Sequence, residues 1–423
     1  MKILHLSYSD YAGGAAKAAY RIHKSIIDAG CRSRMVVADK QTEDENVIRV
    51  GKRRQTALRR LIKLGRSASQ GSTLMREMFN YNYKTVYDKS VIYGSGSDPT
   101  DIVHMHWITN YLNDRDVYRI YERYGRPIVW TLMDQEPLTG GCHYSYECDG
   151  YKNICGACPQ LKSNAIYDIS RRTWNSKKNN LSKLPITFVA GTEWLADKVK
   201  YSSLFNQNRV EIIQVPINES IFREFDKGTA RDLMHLPKRG RVLLFGASSF
   251  DDQRKGMRYL HDALSLLAKK IEYAEAGISY KDITLFAVGR GADQFMESLP
   301  FKKVSRGYLK DDITLALAYQ ASDIFVCPSI VDAGPMMIPE SMMCGTPVVA
   351  FNSGGAPDLI DTKRNGYLAK YRCSKDLAQG ILCMLNHPDY EEVRFAARAK
   401  AVNHHSGSIV AEKYVDLYKD LLN

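Results

Sequence analysis

Several features that would reveal a class of protein at once are missing from this sequence of 423 residues. No run of about 18 apolar residues occurs, which excludes an evident membrane-spanning helix. There is no internal repeat and no low-complexity tract, so solenoids and fibrous proteins are excluded. The first residues, Met1–Ser7, enter a strand-like run directly, and we therefore expect no secretory signal. The 44% hydrophobic and 25% charged residues are typical of a folded protein of two or three domains.

Acidic residues are also comparatively few. The chain has 47 Asp and Glu against 59 Lys and Arg, which gives a net charge of +12. Such a surface favours anionic partners. Residues 52–66 contain seven cations, no acid and several leucines. On a helix this pattern gives an apolar stripe flanked by charge, typical of an anchor on an anionic membrane surface. A solvated helix against the core is the alternative, and we expect no nucleic-acid partner because no aromatic platform accompanies the charges.

Nine cysteines occur, and an odd total predicts a reducing, cytoplasmic setting. Cys155 and Cys158 have the spacing of a zinc half-site, which Cys142 and Cys148 could complete as a tetrahedral set. The spacing is irregular, so two interpretations stay open: a structural zinc site, or four reduced thiols that can form a disulfide. A catalytic zinc is not expected, because all four ligand positions would be filled.

The chain alternates strand and helix patterns in two series. Predicted strands lie at 2–6, 34–38, 101–104, 128–132 and 188–190, and again at 241–247, 283–288, 324–327 and 347–351. A helix after Gly13-Gly14, capped by Gly30, is followed later by predicted helices at 257–269, 313–321 and 408–422. This order predicts an α/β protein with two Rossmann-like doubly wound domains, divided near 215–218 and facing across a ligand-binding cleft.

The densest chemical signal is the stretch 327–340. Asp332 follows a predicted strand, and Glu340 lies on a short predicted helix; either carboxylate could accept two hydrogen bonds from the vicinal hydroxyls of a sugar or a ribose. Free N–H groups at the start of that helix favour an anion. In the second series Arg254-Lys255 lies in a strand-to-helix loop and suits a diphosphate leaving group. The alternative in both places is a set of solvated charges.

These residues resemble the donor-site signature of retaining glycosyltransferases of family 4, which have the GT-B fold. The resemblance rests on Pro328-Ser329, Asp332 and Glu340, and it continues through Gly345–Val349, Gly354–Asp358 and Asn365–Leu368. It extends over nearly the whole chain, including Gly13-Gly14. Three positions depart from the family pattern: Asp332 where Glu is commoner, Met133 where many members have His, and Gly246-Ala247 in place of Gly-Arg.

The resemblance implies roles for particular residues. Glu340 would hold the donor ribose, Asp332 the hydroxyls of the donor sugar, and Lys255 the phosphates, with Arg254 as a second cation. The amides around Gly334, Met336 and Met337 would face the sugar and diphosphate, and Gly14 would approach the phosphates from the other domain. With the usual histidine absent, acceptor contacts would fall to His106, Asp134 or His143, each of which could equally be structural.

We therefore expect an acceptor-side domain at 1–215, a nucleotide-sugar-binding domain at 216–405, and a helix at 406–423 that returns to the first domain. The predicted activity is retaining transfer of a hexosyl group from a UDP- or GDP-linked sugar, with no divalent cation required. The predicted acceptor is a glycan on polyprenyl diphosphate at the inner membrane face, in bacterial surface polysaccharide synthesis. The alternatives are a nucleotide-sugar epimerase of the same fold and a non-catalytic protein that binds membranes or polysaccharides.

Overall fold

The computed structural model describes residues 1–51, 87–88, 90–93, 100–272 and 279–423. The basic segment 52–66 lies outside these ranges. The chain divides into two units: unit 1 comprises Met1–Pro216 and Val410–Asn423, and unit 2 comprises Ile217–Ile409. None of the helices in the described ranges combines the length and hydropathy needed to span a bilayer.

Unit 1 contains a seven-stranded sheet in the order β3-β2-β1-β4-β5-β6-β7, in which every strand pair is parallel. The strands are β1 (Lys2–Ser9), β2 (Arg32–Asp39), β3 (Val47–Arg49), β4 (Ile102–Met105), β5 (Ile128–Leu132), β6 (Ile186–Ala190) and β7 (Val210–Ile212). The helices are α1 (Gly13–Asp28), α2 (Ser90–Tyr93), α3 (Asp114–Tyr124), α4 (Ile169–Leu181) and α5 (Glu193–Tyr201).

Unit 2 contains a six-stranded parallel sheet in the order β10-β9-β8-β11-β12-β13. The strands are β8 (Arg241–Ser249), β9 (Ile283–Arg290), β10 (Lys302–Arg306), β11 (Ile324–Cys327), β12 (Val348–Phe351) and β13 (Gly366–Ala369). The helices are α6 (Lys227–Leu233), α7 (Met257–Glu272), α8 (Ala292–Met296), α9 (Asp312–Gln320), α10 (Met337–Met343), α11 (Ala356–Leu359), α12 (Ser374–Leu385) and α13 (Tyr390–His405). A final helix, α14 (Gly407–Leu422), packs mainly in unit 1.

The apolar strands form because both faces of each sheet are covered. Along β8, Leu243 and Phe245 pack in one buried cluster, which includes Leu260 and Leu264 of α7. The alternate residues of the same strand pack in a second buried cluster on the opposite face. Every residue of β5, β6, β11 and β12 is buried, as a parallel sheet between two helical layers requires.

The predicted fold class, two doubly wound α/β domains, is confirmed by these sheets. The sequence pattern did not predict four of the strands, β3, β7, β10 and β13. It also gave β6 as the last strand of the first series. All four are edge strands of their sheets, and β10 reads Lys-Lys-Val-Ser-Arg. An edge strand that is half solvated carries no continuous apolar run, so its sequence resembles that of a loop.

Both sheets reverse their strand order at one position. In unit 1 the reversal falls between β1 and β4, and in unit 2 it falls between β8 and β11. In doubly wound sheets, ligands bind beyond the carboxyl ends of the two strands that flank such a reversal. The loops after β1, β4, β8 and β11 are therefore the positions to inspect for chemistry.

Candidate active site

The reversal point of unit 2 brings together the two residues with the sharpest predicted roles. Lys255 lies in the loop after β8 and Asp332 in the loop after β11, with Lys255 Nζ 2.6 Å from Asp332 Oδ2. The two side chains are 24% and 13% exposed, so the pair is partly shielded yet open to a ligand. The sequence placed both residues in the site separately, and the structure joins them as an ion pair.

The pair keeps both charges at neutral pH. Burial favours the neutral form of Asp332, but the Lys255 ammonium outweighs it and lowers the pKa of the carboxyl, with a smaller contribution from Arg254. Burial likewise opposes the charge on Lys255, but Asp332 outweighs it and raises the pKa of the lysine. A cation and an anion side by side can serve the two halves of a sugar diphosphate, because one attracts phosphate and the other accepts from hydroxyls.

Three loops are locked together beneath this pair. Gly256 has φ +65°, and a Cβ there would lie 1.9 Å from the carbonyl oxygen of Pro328, so only glycine fits. The N–H of Ile330 donates to the carbonyl of Arg254 at 2.8 Å. The hydroxyl of Ser353 donates in turn to the carbonyl of Ile330 at 2.9 Å. The loops after β8, β11 and β12 therefore hold the backbone around Lys255 and Asp332 in one arrangement.

Arg254 contacts a different acid from its neighbour. Its guanidinium donates to Asp252 Oδ2 at 2.6 Å, and its backbone N–H donates to Asp252 Oδ1 at 3.0 Å. Asp252 also caps the short helical turn that carries both cations. The sequence offered Arg254 as a second phosphate ligand but gave Asp252 no role. The sequence signal for this pair is that the acid lies two residues before the arginine.

Glu340 lies on α10 and is only 4% exposed. The hydroxyl of Tyr319 on α9 contacts Glu340 Oε2 at 3.3 Å. Glutamates are rarely buried without partners, and this carboxylate is not a solvated surface charge. The sequence did not single out Tyr319, because nothing in its own surroundings marks it as a partner of a residue on another helix.

The predicted amide donors lie between the two acids. The N–H of Gly334 donates to Asp332 Oδ1 at 3.3 Å. Met336 precedes α10 as its N-terminal capping residue and Met337 begins it, and no side chain caps the helix there. Gly334 is exposed, and both methionines are half-buried.

Gly14 lies in unit 1, beyond the carboxyl end of β1. Helix α1 begins at Gly13, which has φ +86°, and it has no side-chain cap. A Cβ on either glycine would meet nothing within 4 Å, so neither position is required for packing. Both are exposed, which suits a close approach of a ligand to the backbone.

Two of the acceptor-side candidates contact each other. His143 Nδ1 lies 2.7 Å from Asp134 Oδ2, which also accepts from Trp107 Nε1 at 2.8 Å. Burial opposes both charges, but each partner outweighs it, so the pKa of His143 is raised and that of Asp134 is lowered. Within the described residues, the buried His143 Nε2 has no hydrogen-bond partner. The pair therefore offers one imidazole nitrogen for a further contact.

The third candidate, His106, belongs to a group of buried histidines that lie close to one another. His106 Nε2 lies 2.8 Å from His5 Nδ1, and His106 is 1% exposed. His5, His104 and His106 each offer a ligand atom within 4.8 Å of the others. Both nitrogens of His104 are already bonded, one to the Tyr418 hydroxyl at 2.6 Å and one to Thr131 Oγ1 at 2.7 Å. The cluster is thus a hydrogen-bonded network of the core.

The four clustered cysteines line one small cavity. Cys142, Cys148, Cys155 and Cys158 all face it, and none of them forms a disulfide. The sequence placed them in one loop, and the structure places all four around the same cavity.

Comparison with known proteins agrees with this geometry. Residues 240–387 match the family described as group 1 glycosyl transferases. The chain is 25% identical to the putative colanic acid biosynthesis glycosyl transferase WcaC of Escherichia coli K12, over 446 residues that cover 100% of both chains. It is 26% identical to the N,N'-diacetylbacillosaminyl-diphospho-undecaprenol alpha-1,3-N-acetylgalactosaminyltransferase of Campylobacter jejuni, over 35% of this chain and 40% of that protein.

Among solved structures, the chain resembles Anabaena Alr3699/HepE, crystallised in complex with UDP-glucose. The TM-score is 0.65 at 17% identity, covering 99% of this chain and 100% of the other. The fold is therefore GT-B. The activity class, glycosyltransferase, follows from the matched family model and from the full-length similarity to WcaC. More closely, unit 2 carries a group 1 glycosyl transferase domain, which confirms the resemblance found in the sequence.

Proposed function

We propose that this glycosyltransferase is a retaining hexosyltransferase that uses a nucleotide-sugar donor bound by unit 2. The ion pair of Lys255 and Asp332 at the strand-order reversal carries the proposal, because it presents one cation and one anion within the matched domain. A UDP-linked sugar is favoured over a GDP-linked one, since the similar HepE structure is named as a complex with UDP-glucose.

Each site residue then has a chemical task. Asp332 accepts from hydroxyls of the donor sugar, while Lys255, with Arg254 beside it, opposes the charge that grows on the departing diphosphate. Glu340 accepts from the ribose hydroxyls, and the amides of Gly334, Met336 and Met337 face the sugar and phosphates. The bond from the sugar C1 to the phosphate oxygen breaks, and the acceptor oxygen bonds to C1 on the same face. The acceptor proton passes to the leaving phosphate.

No divalent cation is required in this scheme, because Lys255 and Arg254 supply the positive charge. On the acceptor side, the pair of Asp134 and His143 contacts the acceptor, and the exposed backbone at Gly14 is a candidate ligand for phosphate. His106 is a weaker candidate for the acceptor than this pair, since it is sealed in the core and bonded to His5.

The acceptor is proposed to be a lipid-linked glycan of a bacterial surface polysaccharide. Two named relatives support this proposal: one is described as acting in colanic acid biosynthesis and one as acting on a diphospho-undecaprenol substrate. The basic segment 52–66 supports it as well, since each Lys or Arg near an anionic surface contributes about 1 kcal/mol. The enzyme would then work at the inner membrane face.

Calorimetric titration of the full chain with a panel of UDP- and GDP-sugars tests the donor. We expect one UDP-sugar to bind, and Glu340→Gln to weaken its binding by about 1–3 kcal/mol, as when a charged hydrogen bond is lost. The exposed Glu219 provides a control, since Glu219→Gln should bind as the parent does. Equal affinity in both variants would remove Glu340 from the donor site.

Turnover of the same donor separates the reaction classes. A transferase releases nucleotide in step with glycosylated acceptor, and NMR of the new linkage shows whether the anomeric configuration is retained. An epimerase changes the sugar without any acceptor, and a binding protein turns over neither.

Sedimentation with vesicles tests the membrane. Protein should co-sediment with anionic vesicles at low salt and dissociate as salt rises, because salt screens the charges. Replacing Arg53, Arg54, Arg59 and Arg60 by Ser should abolish sedimentation while donor binding stays intact. Unchanged sedimentation of this variant would show that the segment is not the anchor.

A further inference from the structure

The segment between β5 and α4 contains little regular secondary structure. From Thr139 to Asp168 it has two three-residue helical turns, Gly150–Lys152 and Pro159–Leu161. Cys142 and Cys158 form a small buried cluster there, with Leu161 and Ile169 packed against them. A metal cross-link at this cluster would join parts of the loop that regular secondary structure does not join.

The four cysteines occupy the place where such a link would lie. They line one cavity, whose interior has room for about one water molecule or ion at roughly 20 Å³. Cys155 and Cys158 flank a tight turn in which Gly156 has φ +151° and Ala157 has φ +44°. A Cβ on Gly156 would lie 2.3 Å from the carbonyl of Ile166, so this turn depends on glycine.

Backbone N–H groups point at the sulfur atoms. Gly140 N–H donates to Cys155 Sγ at 3.2 Å, and Gly150 N–H donates to Cys148 Sγ at 3.4 Å. A neutral thiol is a weak acceptor, whereas a metal-bound thiolate is routinely stabilised by hydrogen bonds of this kind. Two of the four sulfurs therefore accept the backbone hydrogen bonds that suit a metal-bound thiolate.

A thiol that coordinates a divalent cation is deprotonated outright. Thiolate is a ligand that selects zinc over magnesium or calcium.

We propose that Cys142, Cys148, Cys155 and Cys158 bind one structural zinc ion, a site separate from the donor site of the proposed function. Among the described residues, the three-residue group with all ligand atoms within 4.8 Å of one another is the histidine cluster, not these cysteines. Side-chain rotation toward the cavity centre must therefore accompany coordination. All four ligand positions are filled by sulfur, so the ion takes no part in the transfer reaction.

The ion also fixes part of the acceptor side. Cys142 directly precedes His143, whose imidazole bonds to Asp134. The amide of Gln160, two residues after Cys158, donates to the carbonyl of Tyr144 at 2.6 Å. Zinc bound by the four sulfurs would thus hold together the two parts of the loop that lie next to Cys142 and next to Cys158, including His143. Loss of the ion should loosen this loop and leave the donor site of unit 2 unchanged.

Elemental analysis of the full chain, purified without chelator, tests the site. We expect about one zinc per chain, and a marked loss of zinc in Cys155→Ser and in Cys158→Ser. Cys373→Ser is the matched control, since Cys373 is half-buried in unit 2 and lies outside the cluster. Less than a tenth of an equivalent in the parent protein, or full zinc in both cluster variants, would overturn the proposal.

Two further measurements keep the test decisive if a variant folds poorly. Cobalt substituted into the parent protein should give the absorption of tetrahedral thiolate coordination, and chelation should speed proteolysis within 140–168 while UDP-sugar affinity stays the same. A disulfide among the four cysteines, found by mass spectrometry of unreduced protein, would instead establish a redox cross-link and reject zinc.

Discussion

The two sheets share a strand order but carry different chemistry where that order reverses. In unit 2 the reversal holds a charged pair, Lys255 and Asp332, which is partly exposed. In unit 1 it holds His5, His104 and His106, which are buried and hydrogen-bonded. Burial lowers the pKa of each of the three histidines, so they stay neutral at pH 7.

The difference follows from where the polar residues lie along the chain. His5 and His104 are paired residues within β1 and β4, so they face a helical layer. Lys255 and Asp332 lie several residues beyond the ends of β8 and β11, on loops. Polar groups inside buried strands must find hydrogen-bond partners within the core, whereas polar groups on loops beyond the strand ends can contact a ligand. One topology therefore supports a buried hydrogen-bonded network in one unit and the candidate donor site in the other.

The largest effect is expected from replacing Lys255, the cation of the ion pair in unit 2. Lys255→Ala should lower kcat about 100-fold or more and change donor affinity less, because the lysine opposes charge that grows as the diphosphate leaves. The exposed Lys375 gives the control, Lys375→Ala. Steady-state kinetics check this prediction. A normal kcat with only a raised KM would make Lys255 a docking residue and would weaken the contrast between the units.

Acid should act on unit 1 through its histidines. Burial lowers the pKa of His23 to about 4 and that of His106 to about 3, below the 6.5 expected for an exposed histidine. Between those values the unfolded chain binds more protons at these two histidines than the folded one. Their contribution to stability is therefore complete above about pH 6.5 and falls as pH drops toward 4. Each pKa unit is worth about 1.4 kcal/mol, so the loss reaches a few kcal/mol.

Tryptophan fluorescence isolates this effect, because Trp107, Trp130, Trp174 and Trp194, all four tryptophans of the chain, lie in unit 1. Denaturant unfolding at pH 7 and pH 5 should show the loss. His23→Gln should flatten the pH dependence, and His261→Gln in unit 2 should not. The same slope in both variants would show that His23 does not contribute to the acid response.

The smallest expected effect concerns one bond of the histidine network. Tyr418→Phe removes the hydroxyl 2.6 Å from His104 Nδ1 and should lower the free energy of unfolding by about 1 kcal/mol. Tyr201→Phe is the control, since that side chain is 60% exposed. Denaturant unfolding followed by tryptophan fluorescence measures both. A loss no larger than that of the control would mean that the network does not stabilise unit 1.

Much of the unit 2 site could be predicted because its signal is local. Lys255 and Asp332 each follow an apolar strand, and adjacent parallel strands bring their carboxyl ends together. The contact between Tyr319 and Glu340 could not be predicted, since it depends on how two helices pack. The bond from His104 to Tyr418 joins residues 314 positions apart. No local pattern indicates such a partner, so the sequence gives no role to His5 or His104, while His106 stays a predicted acceptor contact.

Helix α14 has a consequence for how the chain is made. Tyr414 and Tyr418 bond to Thr131 and His104 in the core of unit 1, yet they follow all of unit 2 in the sequence. During synthesis, the sheet of unit 1 leaves the ribosome first and must wait for its last helix until unit 2 has been translated. An apolar face of unit 1 stays uncovered over that interval, so the nascent protein should depend on chaperones for longer than the order of its strands suggests.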